Sequence, residues 1–103
     1  MKLVITEPAK LRLKEIHDYY KENISEKIAA KIKKGIIQKL KSIRRNPLAG
    51  QEEEYLKELG LGHRRRVEGN YKIIYRISRK IIYVTDIFDS RQDPSKMLGE
   101  KIE

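Results

Sequence analysis

Arginines at two places are the residues of this sequence best suited to chemistry on a charged partner. Three of them are consecutive, Arg64 to Arg66, and precede a tyrosine-rich segment. A fourth, Arg91, follows an apolar run that ends at Phe88, within the stretch FDSRQDP. Guanidinium groups bind phosphate through paired hydrogen bonds, and tyrosine rings stack on bases. Two interpretations of Arg91 stay open: a phosphate-handling cation at the rim of a sheet, or a structural ion pair with a neighbouring aspartate.

Several familiar chemistries find no support in the sequence. The chain has no cysteine, which excludes disulfides and thiol catalysis. His17 and His63 lie on different predicted elements without metal-ligand spacing, so we predict no metal and no cofactor. No nucleophile elbow, Walker loop or dinucleotide-binding glycine motif occurs. Three consecutive glutamates, Glu52 to Glu54, are predicted to lie in a solvated loop, because nothing in the sequence buries them.

The charge of the chain is large and unevenly distributed. The formal net charge is +9 and the sequence pI is near 9.8. From Lys27 to Arg45 the sequence contains eight lysines or arginines and no acid. Such a domain is expected to meet a polyanion or an acidic protein partner. For the lysines of this segment two roles stay open, solubility and contact with a target.

Length and hydropathy predict one cytoplasmic domain over residues 1–103, with a flexible tail over about 95–103. A chain of 103 residues supports one modest core. The apolar stretch near the amino terminus is short and is followed at once by Glu7 and Lys10, which argues against a signal peptide. No apolar run approaches the ~20 residues of a membrane-spanning helix. We therefore expect no membrane partner.

The first half of the chain has the pattern of a strand and two helices. Lys2 to Ile5 is rich in β-branched residues and predicts a short strand. Thr6 and Ser25 are the expected N-caps of two helices, which end near Asn23 and before Asn46. The short link between them predicts an antiparallel hairpin. Apolar stripes at helical spacing should face the core: Ala9, Leu13, Ile16 and Tyr20 in the first helix, and Ala29, Ile32, Ile36, Leu40 and Ile43 in the second.

The second half of the chain changes to the period of strands. Residues 63–67, 71–78 and 81–88 predict three strands, joined by turns at residues 68–70 and 79–80. This is an antiparallel β-meander. The predicted fold is therefore α+β: an N-terminal strand, a helical hairpin and a meander, with the hairpin packed on one face of the sheet. The other face is expected to be exposed, as antiparallel sheets tolerate.

Alternation within the predicted central strand assigns side chains to the two faces. Tyr71 and Tyr75 share a face with isoleucines and should lie in the core beneath the hairpin. Lys72 and Arg76, together with part of the arginine run, should project from the exposed face. Nucleic-acid or target binding is therefore expected from the side chains Arg64, Arg66 and Arg76.

Three stretches and the order of the elements together are similar to a known family: the NPLAG loop, the HRRRVEGNYKIIYRI hairpin, the IFDSRQDP ending, and the order strand, helical hairpin, strands. The chain resembles the RelE/ParE superfamily of toxins from type II toxin–antitoxin systems, over roughly residues 2 to 97. The resemblance implies a plasmid-stabilisation type of growth inhibitor that a cognate antitoxin neutralises. It also implies a homodimer or a toxin–antitoxin hetero-oligomer.

The resemblance implies two targets, DNA gyrase for ParE-like members and messenger RNA at the ribosome for RelE-like members. If the chain is a metal-independent mRNA endonuclease, the catalytic positions fall on Arg65, Lys72 and Arg91. Two departures weaken the nuclease interpretation: lysine stands at 72 where that branch has arginine, and Met97 stands where an aromatic residue is expected. The first hypothesis is thus a ParE-like gyrase inhibitor. The alternatives are the endonuclease and an inactive co-repressor in the antitoxin complex.

Overall fold

A computed structural model describes residues 1–99 of the chain. Residues 100–103, the end of the tail predicted to be flexible, lie outside the described residues. The helices and strands are β1 Lys2–Ile5, α1 Glu7–Asn23, α2 Glu26–Arg45, β2 Gln51–Glu52, β3 Arg64–Glu68, β4 Tyr71–Ser78 and β5 Ile81–Asp89. Three short 3₁₀ turns lie at Pro47–Ala49, Glu54–Leu59 and Pro94–Lys96.

The two helices begin at the caps that the sequence predicts. Thr6 Oγ1 accepts a hydrogen bond from the amide of Ala9 at 3.4 Å, and Ser25 Oγ accepts from the amide of Ile28 at 3.1 Å. Each bond satisfies an amide that the first helical turn leaves without a partner. The predicted helix boundaries are therefore confirmed. Neither helix of the described chain is long and apolar enough to cross a membrane.

The helical hairpin covers one face of the sheet and forms the main core. Ile36 and Ile43 of α2 are fully buried, as are Ile73 and Tyr75 of β4. Tyr71 is 6% exposed in the same cluster. The prediction that both tyrosines pack beneath the hairpin is confirmed.

The sheet has five strands in the order β1-β5-β4-β3-β2. The three predicted strands β3, β4 and β5 form the antiparallel meander. Arg79 and Lys80 have φ angles of 51° and 63°, and two such residues in the left-handed region are typical of the tight turns that join hairpin strands. The N-terminal strand β1 pairs in parallel with β5, and the two-residue strand β2 extends the far edge. The sheet is therefore mixed.

The second face of the sheet is covered, contrary to the sequence-based expectation. Ile74 and Phe88 are buried there together with Leu56 from the Glu54–Leu59 turn and Met97 from the C-terminal segment. The apolar side chains at positions 74 and 88 need such a cover, because burying them removes apolar surface from water. The prediction of an exposed face is wrong, and the covering segments belong to a loop and a tail.

Arg12 of α1 contacts both β5 and the C-terminal segment. Strand β1 pairs with β5 only as far as Val84, so that edge of β5 has no neighbouring strand beyond this residue. Arg12 lies there, with its Nε 3.1 Å from a carboxylate oxygen of the fully buried Asp86. The same guanidinium donates to the carbonyl of Lys96 at 2.8 Å, and the amide of Leu98 donates to Asp86 at 2.9 Å. Met97 is thereby held against the second face.

Candidate functional site

The register of β3 divides the arginine run between the two faces of the sheet. Arg65 pairs with Ile74, whose side chain is on the second face. Arg64 and Arg66 pair with Tyr75 and Ile73, whose side chains are in the core beneath the hairpin. Directly paired residues of neighbouring strands point to the same face. The three consecutive arginines therefore do not form one surface.

Arg64 and Arg66 form hydrogen bonds with α2 and with the loop that follows it, on the hairpin side of the sheet. Nη1 of Arg64 donates to the carbonyl of Gly50 at 2.9 Å and to that of Leu48 at 3.3 Å. Nη2 of Arg66 donates to the hydroxyl of Ser42 at 3.2 Å. Both side chains are half-buried against α2 and the loop that follows it. Neither projects from the second face.

Arg65 and Lys72 meet a buried carboxylate on the second face. Glu53 is 3% exposed, and its Oε1 lies 3.7 Å from Nη1 of Arg65 and 3.6 Å from Nζ of Lys72. Its other oxygen accepts from the amide of Tyr55 at 2.9 Å, and the Glu53 amide donates to the carbonyl of His63 at 2.9 Å. The prediction that Glu53 is solvated is wrong. The loop turns back at this residue to begin the 3₁₀ turn that covers the sheet.

His63 and Arg76 complete a group that we call the buried polar cluster, which consists of Glu53, His63, Arg65, Lys72 and Arg76. His63 is 2% exposed, and neither imidazole nitrogen has a hydrogen-bond partner within residues 1–99. Burial lowers the pKa of His63, the positive charge of Arg76 lowers it further, and Glu53 opposes both. Arg76 is 5% exposed and its guanidinium carbon lies 5.6 Å from the centre of the Tyr83 ring. The expectation that Arg76 projects into solvent is wrong, because its side chain is buried and contacts the Tyr83 ring.

Arg91 lies on the opposite side of the sheet from Lys72 and Arg65. Its Nε and Nη2 donate to the two carboxylate oxygens of Asp89 at 2.9 and 2.8 Å, and its amide donates to the same carboxylate. These hydrogen bonds lower the pKa of Asp89. The ion pair that the sequence left open is therefore present, although the Arg91 side chain remains 58% exposed.

Arg91 stands at the rim of a groove of about 540 Å³ between α1 and the adjacent ends of β4 and β5. We call it the α1 groove. Its lining combines aromatic, apolar and charged side chains: Arg12, Glu15, Ile16, Tyr19, Tyr20, Ile24, Tyr71, Ile87, Asp89, Arg91 and Gln92.

Tyrosines form the floor and one wall of the α1 groove. The hydroxyls of Tyr20 and Tyr71 lie 3.4 Å apart, and burial raises the pKa of Tyr71. The rings of Tyr19 and Tyr20 meet edge to face with centroids 5.3 Å apart, and Tyr19 is 58% exposed. Sequence reasoning assigned Tyr20 to the core and missed Tyr19. Two adjacent aromatic residues at the boundary of an amphipathic stripe were the available signal.

Comparison with known proteins identifies the family of this chain. The family described as "ParE toxin of type II toxin-antitoxin system, parDE" matches residues 3–94. The chain belongs to the ParE toxin family. The superfamily resemblance inferred from the sequence is thereby confirmed.

One solved structure, described as the chromosomal ParDE TA system from P. aeruginosa, has the same fold as this ParE-family chain. The TM-score is 0.72 at 24% sequence identity, and the match covers 84% of this chain and 92% of that chain. This likeness concerns the fold. No curated protein matches the sequence significantly.

The residues implied for a nuclease do not converge in this ParE-family chain. Arg65 and Lys72 lie together beside Glu53, whereas Arg91 lies beyond the sheet in the α1 groove. Met97 stands at the position where a nuclease would have an aromatic residue. Its side chain is 7% exposed and packs with Ile74 and Phe88 on the second face of the sheet. A thioether in that place cannot transfer a proton.

Proposed function

We propose that this ParE-family chain is a toxin that arrests growth by inhibiting DNA gyrase and that a cognate antitoxin neutralises it. The observation that carries the proposal is the match to the ParE toxin family over residues 3–94. The positions of the cations support it. Metal-free cleavage of a phosphodiester needs several donors aimed at the same developing charge, and here the implied donors are divided between two faces.

The α1 groove is the surface that suits a protein target best. Aromatic and arginine side chains are enriched at the energetically dominant centres of protein interfaces, and this groove combines Tyr19, Tyr20 and Arg91. Arg91 is the one implied catalytic residue whose side chain is more than half exposed, since Arg65 and Lys72 are 22% and 29% exposed. We assign Arg91 to target contact.

A gyrase supercoiling assay with the purified chain tests this function. The wild-type chain should inhibit supercoiling, and Arg91→Ala should lose most of that inhibition while remaining folded. Arg44→Ala, an exposed arginine on α2, removes the same charge far from the groove and serves as the matched control. Full inhibition by Arg91→Ala would contradict the assignment of the groove, and a wild-type chain inactive on gyrase would contradict the proposed target.

The buried polar cluster favours a second candidate, a ribosome-dependent mRNA endonuclease. There the Glu53 carboxylate lies 3.7 Å from Arg65 and 3.6 Å from Lys72, and a general base beside cations that can hold phosphate is the arrangement such cleavage uses. Mapping messenger RNA breaks after induction tests it: breaks that vanish in Glu53→Gln would establish this candidate. A chain that causes neither breaks, gyrase inhibition nor growth arrest would instead fit an inactive co-repressor.

A further inference from the structure

The outward face of α2 carries a continuous row of cations. Five side chains occupy it at helical spacings of four, three, seven and four residues, and we call them the α2 stripe: Lys27, Lys31, Lys34, Lys41 and Arg45. All five are exposed. They lie opposite the fully buried Ile36, because residues at these spacings share one side of a helix with a period of about 3.6. Gln38 fills the remaining position of the row.

Within the described residues, no acid neutralises the α2 stripe. None of its five side chains makes an ion pair or a hydrogen bond with any residue between 1 and 99. By contrast, three lysines of the neighbouring surface, Lys10, Lys14 and Lys21, each pair with an acid. The whole of α2 has eight lysines or arginines and one acid, Glu26.

Local helix physics does not account for this arrangement. Like charges four residues apart repel and destabilise a helix, and the stripe has two such pairs, Lys27 with Lys31 and Lys41 with Arg45. The helix dipole favours cations in the last turn, which explains Arg45 but not Lys27 in the first turn. Solubility alone is served equally well by a mixture of both charges.

We propose that the α2 stripe binds the phosphate backbone of duplex DNA, without reading its sequence. This inference concerns a surface remote from the α1 groove and goes beyond the proposed function. Over 18 residues the stripe is about 27 Å long, at about 1.5 Å per residue. Duplex DNA carries one negative charge per about 1.7 Å of its axis, so each cation of the stripe can find a phosphate along that length.

The surroundings of the stripe favour a duplex over other polyanions. Binding of single strands relies on aromatic side chains that stack on unpaired bases, and α2 has no aromatic residue. Binding to an anionic membrane relies on an apolar face that enters the lipid, and the apolar face of α2 is committed to the core. A row of cations along one helix face, with neither feature, is complementary to a regular array of phosphates.

Fluorescence anisotropy with a labelled duplex of arbitrary sequence tests the proposal. The wild-type chain should bind at 50 mM salt, with an affinity that falls linearly on logarithmic axes as salt rises. The variant Lys31→Gln, Lys34→Gln, Lys41→Gln should bind at least about tenfold more weakly, and its salt slope should be shallower by about 2.7, at 0.9 per phosphate contact.

A second triple variant separates the stripe from net charge. Lys2→Gln, Lys57→Gln, Lys96→Gln removes the same three charges from exposed positions outside α2, and it should keep most of the wild-type affinity and slope. Equal losses in both variants would overturn the proposal, because bulk charge would then explain the binding. No binding of duplex at 50 mM salt would also overturn it, and so would tighter binding to anionic vesicles or to single strands.

The test of DNA binding by the α2 stripe does not depend on whether gyrase is the target of the toxin. Circular dichroism and unfolding curves show whether both triple variants are folded, and the gyrase assay is run on the same samples. A stripe variant that loses DNA binding and retains gyrase inhibition would show the two surfaces to be separate. A chain inactive on gyrase that binds duplex through the stripe would contradict the proposed function and leave this inference intact.

Discussion

Ionisable side chains that are buried at the sheet should make the stability of this protein dependent on pH. His63 is 2% exposed, and its pKa is lowered from 6.5, first by desolvation and then by the charge of Arg76. In the window between that lowered pKa and 6.5, the unfolded chain binds more protons than the folded chain. The free energy of unfolding should therefore fall as pH falls from about 7 through this window.

Urea unfolding at pH 7.5 and pH 5.5 measures this effect. His63→Gln should reduce the difference in stability between the two conditions, because glutamine has no proton to bind. His17→Gln, on the partly exposed surface of α1, is the control and should leave the difference unchanged. A His63→Gln protein with the same pH dependence as the wild type would contradict the prediction.

The ion pair between Arg12 and Asp86 is a residue-scale determinant of stability. Asp86 is fully buried, burial raises its pKa, and Arg12 opposes that shift. Removing one partner of a buried pair leaves an uncompensated charge and costs about 3–5 kcal/mol. Arg12→Ala should cause a loss of this size in urea unfolding, whereas Lys10→Ala, from an exposed pair with Glu7, should barely change the midpoint.

Adding Asp86→Asn to Arg12→Ala provides a check on the cause. The amide has the shape of the carboxylate without its charge, so the double variant should recover part of the lost stability. A double variant with the same stability as Arg12→Ala would contradict the buried charge as the cause of the loss and leave the lost bond to the Lys96 carbonyl as its source.

The exposed pair between Arg91 and Asp89 should contribute to function rather than to stability. Surface ion pairs contribute little because water screens them. Arg91→Ala should therefore leave the unfolding midpoint almost unchanged and abolish growth arrest. Arg91→Lys distinguishes a paired hydrogen bond from a general positive charge: loss of arrest favours the fork of the guanidinium, and retained arrest favours charge alone. Full toxicity of both variants would reduce Arg91 to its pairing with Asp89.

At the scale of elements, one side of α2 packs on the sheet and the other side is exposed. Ile36 is fully buried, so Ile36→Ala should lower the free energy of unfolding by about 2–5 kcal/mol. The adjacent Ile37 is 36% exposed, and Ile37→Ala should cost less than half as much. Similar losses at the two positions in chemical denaturation would contradict the packing of α2 described above.

Replacing a glycine by alanine should have opposite effects on stability at two positions, Gly35 within α2 and Gly50 in the loop that follows it. A Cβ at Gly35 would meet only the end of the Glu68 side chain, at 2.8 Å, and that carboxylate can move. Gly35→Ala should therefore gain up to about 1 kcal/mol from helix propensity. A Cβ at Gly50 would collide with the hydroxyl of Tyr75, whose ring is fully buried. Gly50→Ala should lose about 1–3 kcal/mol by overpacking, and equal midpoints for both variants would contradict this contrast.

Local patterns explain how much of the element order could be predicted from the sequence. The caps Thr6 and Ser25 and the turn at Arg79 and Lys80 are signals confined to a few residues, and the predicted boundaries of these elements are confirmed. The alternation that assigned Tyr71 and Tyr75 to the core is equally local.

Contacts between distant segments explain what the sequence did not reveal. Glu53 reads as one of three charged loop residues, and its burial depends on where the next turn is placed relative to β3. Ile74 and Phe88 alternate correctly with the core residues, but Leu56 and Met97, which pack with them on the second face, come from segments that strand alternation does not describe. Strand alternation assigns a face without telling whether another segment covers that face.

At the scale of the whole molecule, the net charge of +9 should govern how fast the antitoxin binds. Complementary charge accelerates diffusional encounter, and dissolved salt screens the attraction. The association rate with a cognate antitoxin should fall steeply as salt rises in stopped-flow measurements. A rate indifferent to ionic strength would show that apolar contacts alone direct the encounter.

The parallel pairing of β1 with β5 also determines when the protein can complete its fold during its synthesis. The first strand can find its partner only after Ile81 to Val84 have been made, and Thr6 then donates to Val84 across 78 positions. Arg12 reaches its bond with Lys96 later still. Pairings between such distant segments form slowly and require nearly the complete chain. The sheet can therefore be completed only late in translation, after β5 has been synthesised.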